Sequence, residues 1–331
     1  MVRIKKFTIR CNQSFVDVNI NKICNYLVFL TNFSYKMTKP IIFSGLSKNC
    51  FDTVVDNLNF LSEFIIKNPD LDINILIIDS DSTDGTKEYV VNICNTNKKI
   101  KLINIDSLVN EISTRVDRIA YCRNEGLKFI DKHYGKNSII YIPMDLDINL
   151  FKYTTSEELL NLINLMASEK SLFDVMLPCS TPYYYDIFAL RATGWVNFNV
   201  QKVVYYLKKY LKLGSFFWNY IFIFRNQWSI NKVKNKKYEL ISAFGGIGIY
   251  SINEFNIENY KYPVIKNLTH NFISEHIEFN KLFTRLKINT NWQIPAPEQH
   301  TEYLSSGLKG KIKYVLRTIK YDILNINSNE K

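Results

Sequence analysis

The chain has 331 residues, the length of one or two domains at ~100–200 residues each. Hydrophobic residues make up 47% and charged residues 22%, which excludes a chain disordered by composition. The net charge of +11 sits largely in residues 201–240, which hold nine Lys/Arg against one acidic residue, Glu239. Residues 1–38 read as a weakly patterned N-terminal extension. From Pro40 the pattern sharpens. Ile41-Ile42-Phe43 is a short buried strand, followed by a helical stripe at Val54, Leu58, Leu61 and Ile65 that ends near Asn68-Pro69. Ile73 to Ile78 is a second apolar strand. It stops at a turn of small and acidic residues, Asp79 to Thr86, where Ser82 or Thr83 is placed to cap a helix carrying Tyr89, Val90 and Ile93. Ile100 to Ile105 is a third strand, Val116 to Ile130 a helix, and Ser138 to Ile142 a fourth strand running into Asp145-Leu146-Asp147.

This alternation predicts an α/β fold with a mostly parallel sheet flanked by helices, whose ligands sit at the carboxyl ends of the strands. Both acidic clusters fall there. A helix over Glu157 to Met166 and a strand over Asp174 to Leu177 continue the pattern, which then loosens. Residues 200–240 read as an aromatic, basic insertion. Apolar structure resumes over Leu240 to Tyr250, Ser274 to Leu286 is expected to be a helix, Asn291 to Ile294 a last strand, and Leu308 to Leu324 a basic helix. Six cysteines (Cys11, Cys24, Cys50, Cys94, Cys122, Cys179) lack CxxC spacing, which excludes a zinc ribbon and argues against a disulfide scaffold. No apolar stretch approaches the ~18 residues of a membrane span, and no signal-peptide pattern is present. The expectation is a cytoplasmic protein.

Asp145 and Asp147 are two apart at the end of a buried strand, where residues i and i+2 face the same way, so both carboxylates can share one hard cation. Arg123 falls on the apolar stripe of its helix (Val116, Ile119, Ala120, Leu127, Ile130). A buried cation needs a partner, so it should either meet Asp145 or Asp147 or project to a phosphate, with Asn124 placed to orient either one. Glu275 precedes the stripe Phe279, Leu282 and Leu286, which puts an inward carboxylate in a first helical turn. There it reads either as a base toward an acceptor hydroxyl or as a helix cap.

The segments IIDSDSTDGT, RIAYCRNEGL and IIYIPMDLD together resemble, in order and spacing, nucleotide-sugar glycosyltransferases of the GT-A (Rossmann-like) fold. Within that superfamily the chain is most similar to the fungal capsule-associated α-mannosyltransferases. That likeness includes LPCSTPYYYDIFALR, where Tyr185-Asp186 and Arg191 match a Tyr-Asp-x-x-x-x-Arg segment, and it spans roughly Ile41 to Arg191. Later, FGGIGIY and SEHIEFNKLF look like acceptor-side Gly-Gly and Glu-Asp motifs, with His276 in place of the usual Asp. The resemblance implies a glycosyltransferase domain over residues 39–300. Its nucleotide-sugar half would cover 39–150 and its acceptor half 151–300, with the basic helix following at 301–331.

The resemblance also implies roles. Asp79, Asp81, Arg118, Arg123, Asn124 and Asp145 would contact a UDP- or GDP-sugar donor, with Arg123 near the diphosphate. Asp145, Asp147 and His300, in the loop PAPEQHTEY, would hold Mn2+ or Mg2+. Asp186, Arg191 and Glu275 would carry the catalysis on a glycan, glycoprotein or glycolipid hydroxyl. The fungal family implies retention of configuration, whereas a Glu275 base implies inversion. Two rival classes compete. A nucleotidyltransferase would want a phosphate loop where Ser44-Gly45-Leu46-Ser47 stands, and a nucleic-acid-binding module would be repelled by the paired carboxylates. The aromatic and basic mixture of 201–240 suits an anionic membrane surface or a polyanionic acceptor, or else an interior packed under coding-biased lysines.

Overall fold

The computed structural model describes residues 7–11, 14–18, 37–168, 171–211, 215–264 and 273–328. The chain divides into two units, Met1–Thr38 and Lys39–Lys331. In the first, β1 (Phe7–Cys11) and β2 (Ser14–Val18) pair as an antiparallel hairpin.

The second unit opens with β3 (Ile41–Ser47), α1 (Phe51–Lys67), β4 (Ile73–Ser80), α2 (Thr86–Thr96) and β5 (Ile100–Ile105). The short α3 (Leu108–Glu111), the long α4 (Arg115–Tyr134) and β6 (Ile139–Asp145) follow, then α5 (Ser156–Ala167) and β7 (Val175–Thr181). Next come β8 (Arg191–Thr193), α6 (Val200–Leu211), α7 (Ser215–Phe222), α8 (Ile230–Asn235), β9 (Glu239–Ser242) and β10 (Ile249–Ile252). The unit ends with α9 (Glu275–Asn280), β11 (Leu286–Pro295), α10 (Glu298–Ser305) and α11 (Leu308–Ser328).

Seven strands form one sheet in the order β11-β7-β10-β6-β3-β4-β5. Every pairing is parallel except those of β10, which runs against both β6 and β7. The expected α/β, mostly parallel sheet is therefore what forms. Its central strands read as unbroken apolar runs because helices cover both faces; Ile139 to Met144 are all buried. The helix α1 turns its Val54, Leu58, Leu61 and Phe64 stripe to this sheet, with Phe64 taking the inward place expected of Ile65.

Several sequence expectations need correction. Neither Ser82 nor Thr83 caps α2; its N-cap is Gly85 at φ 94°, and the Asp84 carboxylate accepts the Thr86 N–H at 3.1 Å. The helix expected over Ser274 to Leu286 is only six residues long, because Leu286 already begins β11. His300 lies in the first turn of α10 rather than in a loop. Most of residues 1–38 fall outside the described residues.

The basic stretch 200–240 enters and leaves through the antiparallel ribbon of β8 and β9. Many of its aromatics pack inward. Trp218, Phe224 and Trp228 are buried, and Trp228 stacks on Trp195 with ring centroids 4.4 Å apart. Phe217 and Tyr220 stay exposed. Among the described residues, no helix is long and apolar enough to cross a membrane, and Cys50, Cys94, Cys122 and Cys179 are free thiols.

Candidate active site

The turn after β6 is pinned from α1. Thr53 Oγ1 donates to the Leu146 carbonyl at 2.6 Å. Asn57 donates to the Ile148 carbonyl at 2.8 Å and accepts from the Leu150 N–H at 3.0 Å. Leu146 lies against Gly45 of β3, where an added Cβ would come within 2.7 Å of its side chain. With Leu146 sunk into the core, Asp145 and Asp147 on either side of it turn toward the carboxyl end of the sheet. Asp147 is exposed and has no hydrogen-bond or ion-pair partner among the described residues.

Arg123, 1% exposed, reaches this turn from the inward stripe of α4. Its Nη2 donates to Asp145 Oδ1 at 2.6 Å and its Nε to Glu275 Oε1 at 3.4 Å. Phe244 and Tyr262 flank the guanidinium, with ring centroids 5.0 and 5.5 Å from its central carbon. Its Nη1 is left without a partner. Of the two outcomes open to Arg123 from sequence, the Asp145 contact is the one made.

Around this pair the acids accumulate. Asp186 is held by the Gly245 N–H (3.1 Å) and the Ala189 N–H (3.2 Å), and desolvation raises its pKa against those bonds. The next peptide ties the second acid, since the Asp145 N–H donates to the Gly246 carbonyl at 2.7 Å. Gly245 and Gly246 have φ of 86° and 99°, a backbone that glycine adopts without strain. The side chain of Asp145 is 34% exposed. Desolvation pushes its pKa up to about 7; Arg123 opposes the shift, while Asp147, Glu275 and Asp186 add to it.

His276 lies beside Glu275, stacked on Phe244 at 3.5 Å between ring centroids. Its burial and the Arg123 charge drive its pKa well below 6.5, so the ring is neutral. His300 stacks on Tyr185 at the rim. Desolvation lowers its pKa against the pull of Asp186 and Asp147. Arg191 spends its Nη1 on the carbonyls of Phe188 and Leu190, and desolvation lowers its pKa against the pull of Asp186.

The structure therefore brings together Arg123, Asp145, Asp147, Asp186, Glu275 and His300, with Arg191 alongside. The other sequence candidates are engaged elsewhere. Asp79 is fully buried and accepts from Ser47 Oγ (2.8 Å) and Ser82 Oγ (2.6 Å). Asp81 caps α3 by accepting the N–H groups of Ser107 (2.5 Å) and Val109 (3.2 Å). Arg118 donates to the carbonyls of Ile112 and Ser113, and Asn124 exchanges two hydrogen bonds of 2.8 Å with the backbone of Tyr262. Sequence reasoning missed the aromatic walls at Phe244 and Tyr262. Phe244 opens the quoted FGGIGIY segment, and Tyr262 carries no local signal.

The fold has solved neighbours. The mannosyltransferase PcManGT from Pyrobaculum calidifontis, in complex with GDP-Man and Mn2+, is similar at 11% identity and a TM-score of 0.44, over 85% of this chain and 66% of that one. TarS from S. aureus is similar at 14% identity and a TM-score of 0.41, over 77% and 59%. The bifunctional glycosyltransferase WbbM follows at 11% and 0.35, over 77% and 39%. The chain thus spans less than two thirds of the length of each. Comparison of the sequence with family models and with curated proteins gives no match. What the site does is decided by its own residues.

Proposed function

We propose that this chain is a GT-A type glycosyltransferase that moves a sugar from a UDP- or GDP-sugar to a hydroxyl of a glycan, glycoprotein or glycolipid. One observation carries this reading. The carboxylates of Asp145, Asp147, Asp186 and Glu275 converge at the carboxyl end of the sheet against a single buried guanidinium. A diphosphate would be repelled from such a cleft unless a cation joined it.

The residues fit Mn2+ or Mg2+. Arg123 occupies Oδ1 of Asp145, which leaves Oδ2 and both oxygens of Asp147 as hard donors. Among the described residues no complete cage of three or more ligands forms. An open half-shell is what such ions take when phosphate oxygens and water complete the coordination. His300, neutral at the rim, would be a further ligand. Bound there, the ion would act as a Lewis acid that neutralises the departing diphosphate.

The chain's own residues do the rest. Arg123 fixes the direction of Asp145, and Glu275 is the counter-ion that holds Arg123 in place. Asp186, aimed by two backbone N–H groups, faces the sugar together with Arg191. Asp79 and Asp81 shape the turn that borders the nucleotide rather than touching it. Glu275 is engaged with Arg123 at 3.4 Å, which supports a counter-ion role for it rather than that of a free base. The rival nucleotidyltransferase has no support at Gly45, which is buried within β3 rather than in a phosphate-binding loop.

A donor screen tests the reading. Purified chain with UDP- and GDP-sugars and Mn2+ is expected to release nucleoside diphosphate from at least one donor. EDTA should stop that release, and added metal should restore it. Full activity in excess EDTA would remove the metal. Absence of both turnover and binding across the donor panel, or pyrophosphate release from a nucleoside triphosphate and a sugar phosphate, would remove the function. A salt-dependent gel shift with DNA is expected to be blank.

A further inference from the structure

The helix α11 (Leu308–Ser328) is fastened along one side only. Tyr314 packs against Phe216, Phe224 and Tyr303, and Arg317 pairs with Glu302 at 2.5 Å. At 3.6 residues per turn, Leu308, Ile312, Leu316 and Ile319 share a stripe on the side away from Tyr314. They are 76%, 52%, 62% and 44% exposed. Nothing in the described chain covers them. A contiguous apolar row of this kind on an otherwise folded unit marks a binding surface.

Charge decides what covers it. Lys309, Lys313 and Lys320 border one side of the stripe and Lys311 the other, and no acidic residue occurs between Glu302 and Asp322. A second copy of this face would set lysines against lysines, whereas helices that pair with each other place opposite charges at such flanks. An apolar row edged by lysines matches a bilayer with anionic headgroups, where the row enters the acyl boundary and the lysines meet phosphates. We propose that α11 seats this protein on the surface of an anionic lipid membrane. The proposal goes beyond the sugar-transfer reading and does not depend on it. It also uses a different segment from the basic run at 201–240, several of whose aromatics are buried.

Flotation of the full chain with vesicles tests it, comparing pure phosphatidylcholine with phosphatidylcholine containing phosphatidylglycerol. Wild type is expected to bind the anionic vesicles at least about tenfold more strongly than the neutral ones, and to be released by salt. Leu316→Ser combined with Ile319→Ser should lower binding about tenfold, as should Lys309→Gln, Lys313→Gln and Lys320→Gln together. All these side chains face solvent, so an unchanged melting temperature confirms that the variants fold. Equal binding to both vesicle types, or variants that bind as wild type does, would overturn the proposal. So would a concentration-dependent dimer in light scattering that the apolar variant abolishes while wild type ignores vesicles; the occupant would then be a second copy.

Discussion

Two acidic turns end neighbouring regions of the same sheet, and in sequence they look alike. After β4, Asp79, Asp81 and Asp84 are all taken up by the protein. Asp79 is held by two serine hydroxyls, Asp81 by two backbone N–H groups at α3, and Asp84 by the N–H groups of Phe51 and Thr86. After β6, Asp145 has one donor side chain, Arg123, and Asp147 has none among the described residues. Satisfied carboxylates hold loops in shape. Unsatisfied ones, crowded together, hold negative potential that a ligand must answer. Of these two turns, the one after β6 keeps the carboxylate oxygens that no protein group among the described residues has claimed.

The sharpest test of that contrast is Asp147→Asn. Under the proposed function, sugar transfer is expected to fall about 1,000-fold, because the proposed two-carboxylate half-shell would lose half its charge, while the melting temperature stays where it was. Arg123→Met should act next most strongly, and on stability. Removing the guanidinium leaves Asp145 and Glu275 facing each other without a cation, a loss of about 3–5 kcal/mol measurable by denaturant unfolding. Asp79→Asn should do the reverse of Asp147→Asn. It strands buried hydroxyl donors and costs about 1–3 kcal/mol, yet turnover should change less than about tenfold. Loss of transfer at Asp79 with stability intact would erase the distinction between the turns.

The smallest expected effect is on pH. With the Asp145 pKa raised from 3.8 to about 7, the folded protein keeps a proton that the unfolded chain has already lost. In EDTA its contribution is full below about 4 and fades as pH rises through about 7, so the melting temperature should drift downward over that window. Asp145→Asn should flatten the drift, and Mn2+ should flatten it in wild type.

Much of this was legible beforehand, for identifiable reasons. The strands β4 and β6 are short, mostly apolar runs bounded by turns, and Arg123 stood out as a charge on an apolar stripe. What periodicity could not supply was long-range partnership. That Asp79 meets Ser47 or that Asn124 meets Tyr262 depends on pairings across 32 and 138 positions. The helix expected through Leu286 failed because Phe279 and Leu282 keep helical spacing across what is in fact a turn into β11. The His300 position misled for a simpler reason: Pro297 reads as a loop residue, but it stands at the N-cap of α10.

The one antiparallel strand of the seven-stranded sheet, β10, also sets a schedule for synthesis. On the ribosome, β6 emerges with β3 already beside it, but its other neighbour, Ile249–Ile252, is about 100 residues away, roughly 5–20 s at the usual ~5–20 residues per second. During that interval the apolar run Ile139 to Ile142 is an open edge, and β7 has no partner at all until β10 and then β11 arrive. Nascent chains cut short before residue 249 should therefore be claimed by chaperones or aggregate, while the half-sheet from β3 to β5 behind them is already paired.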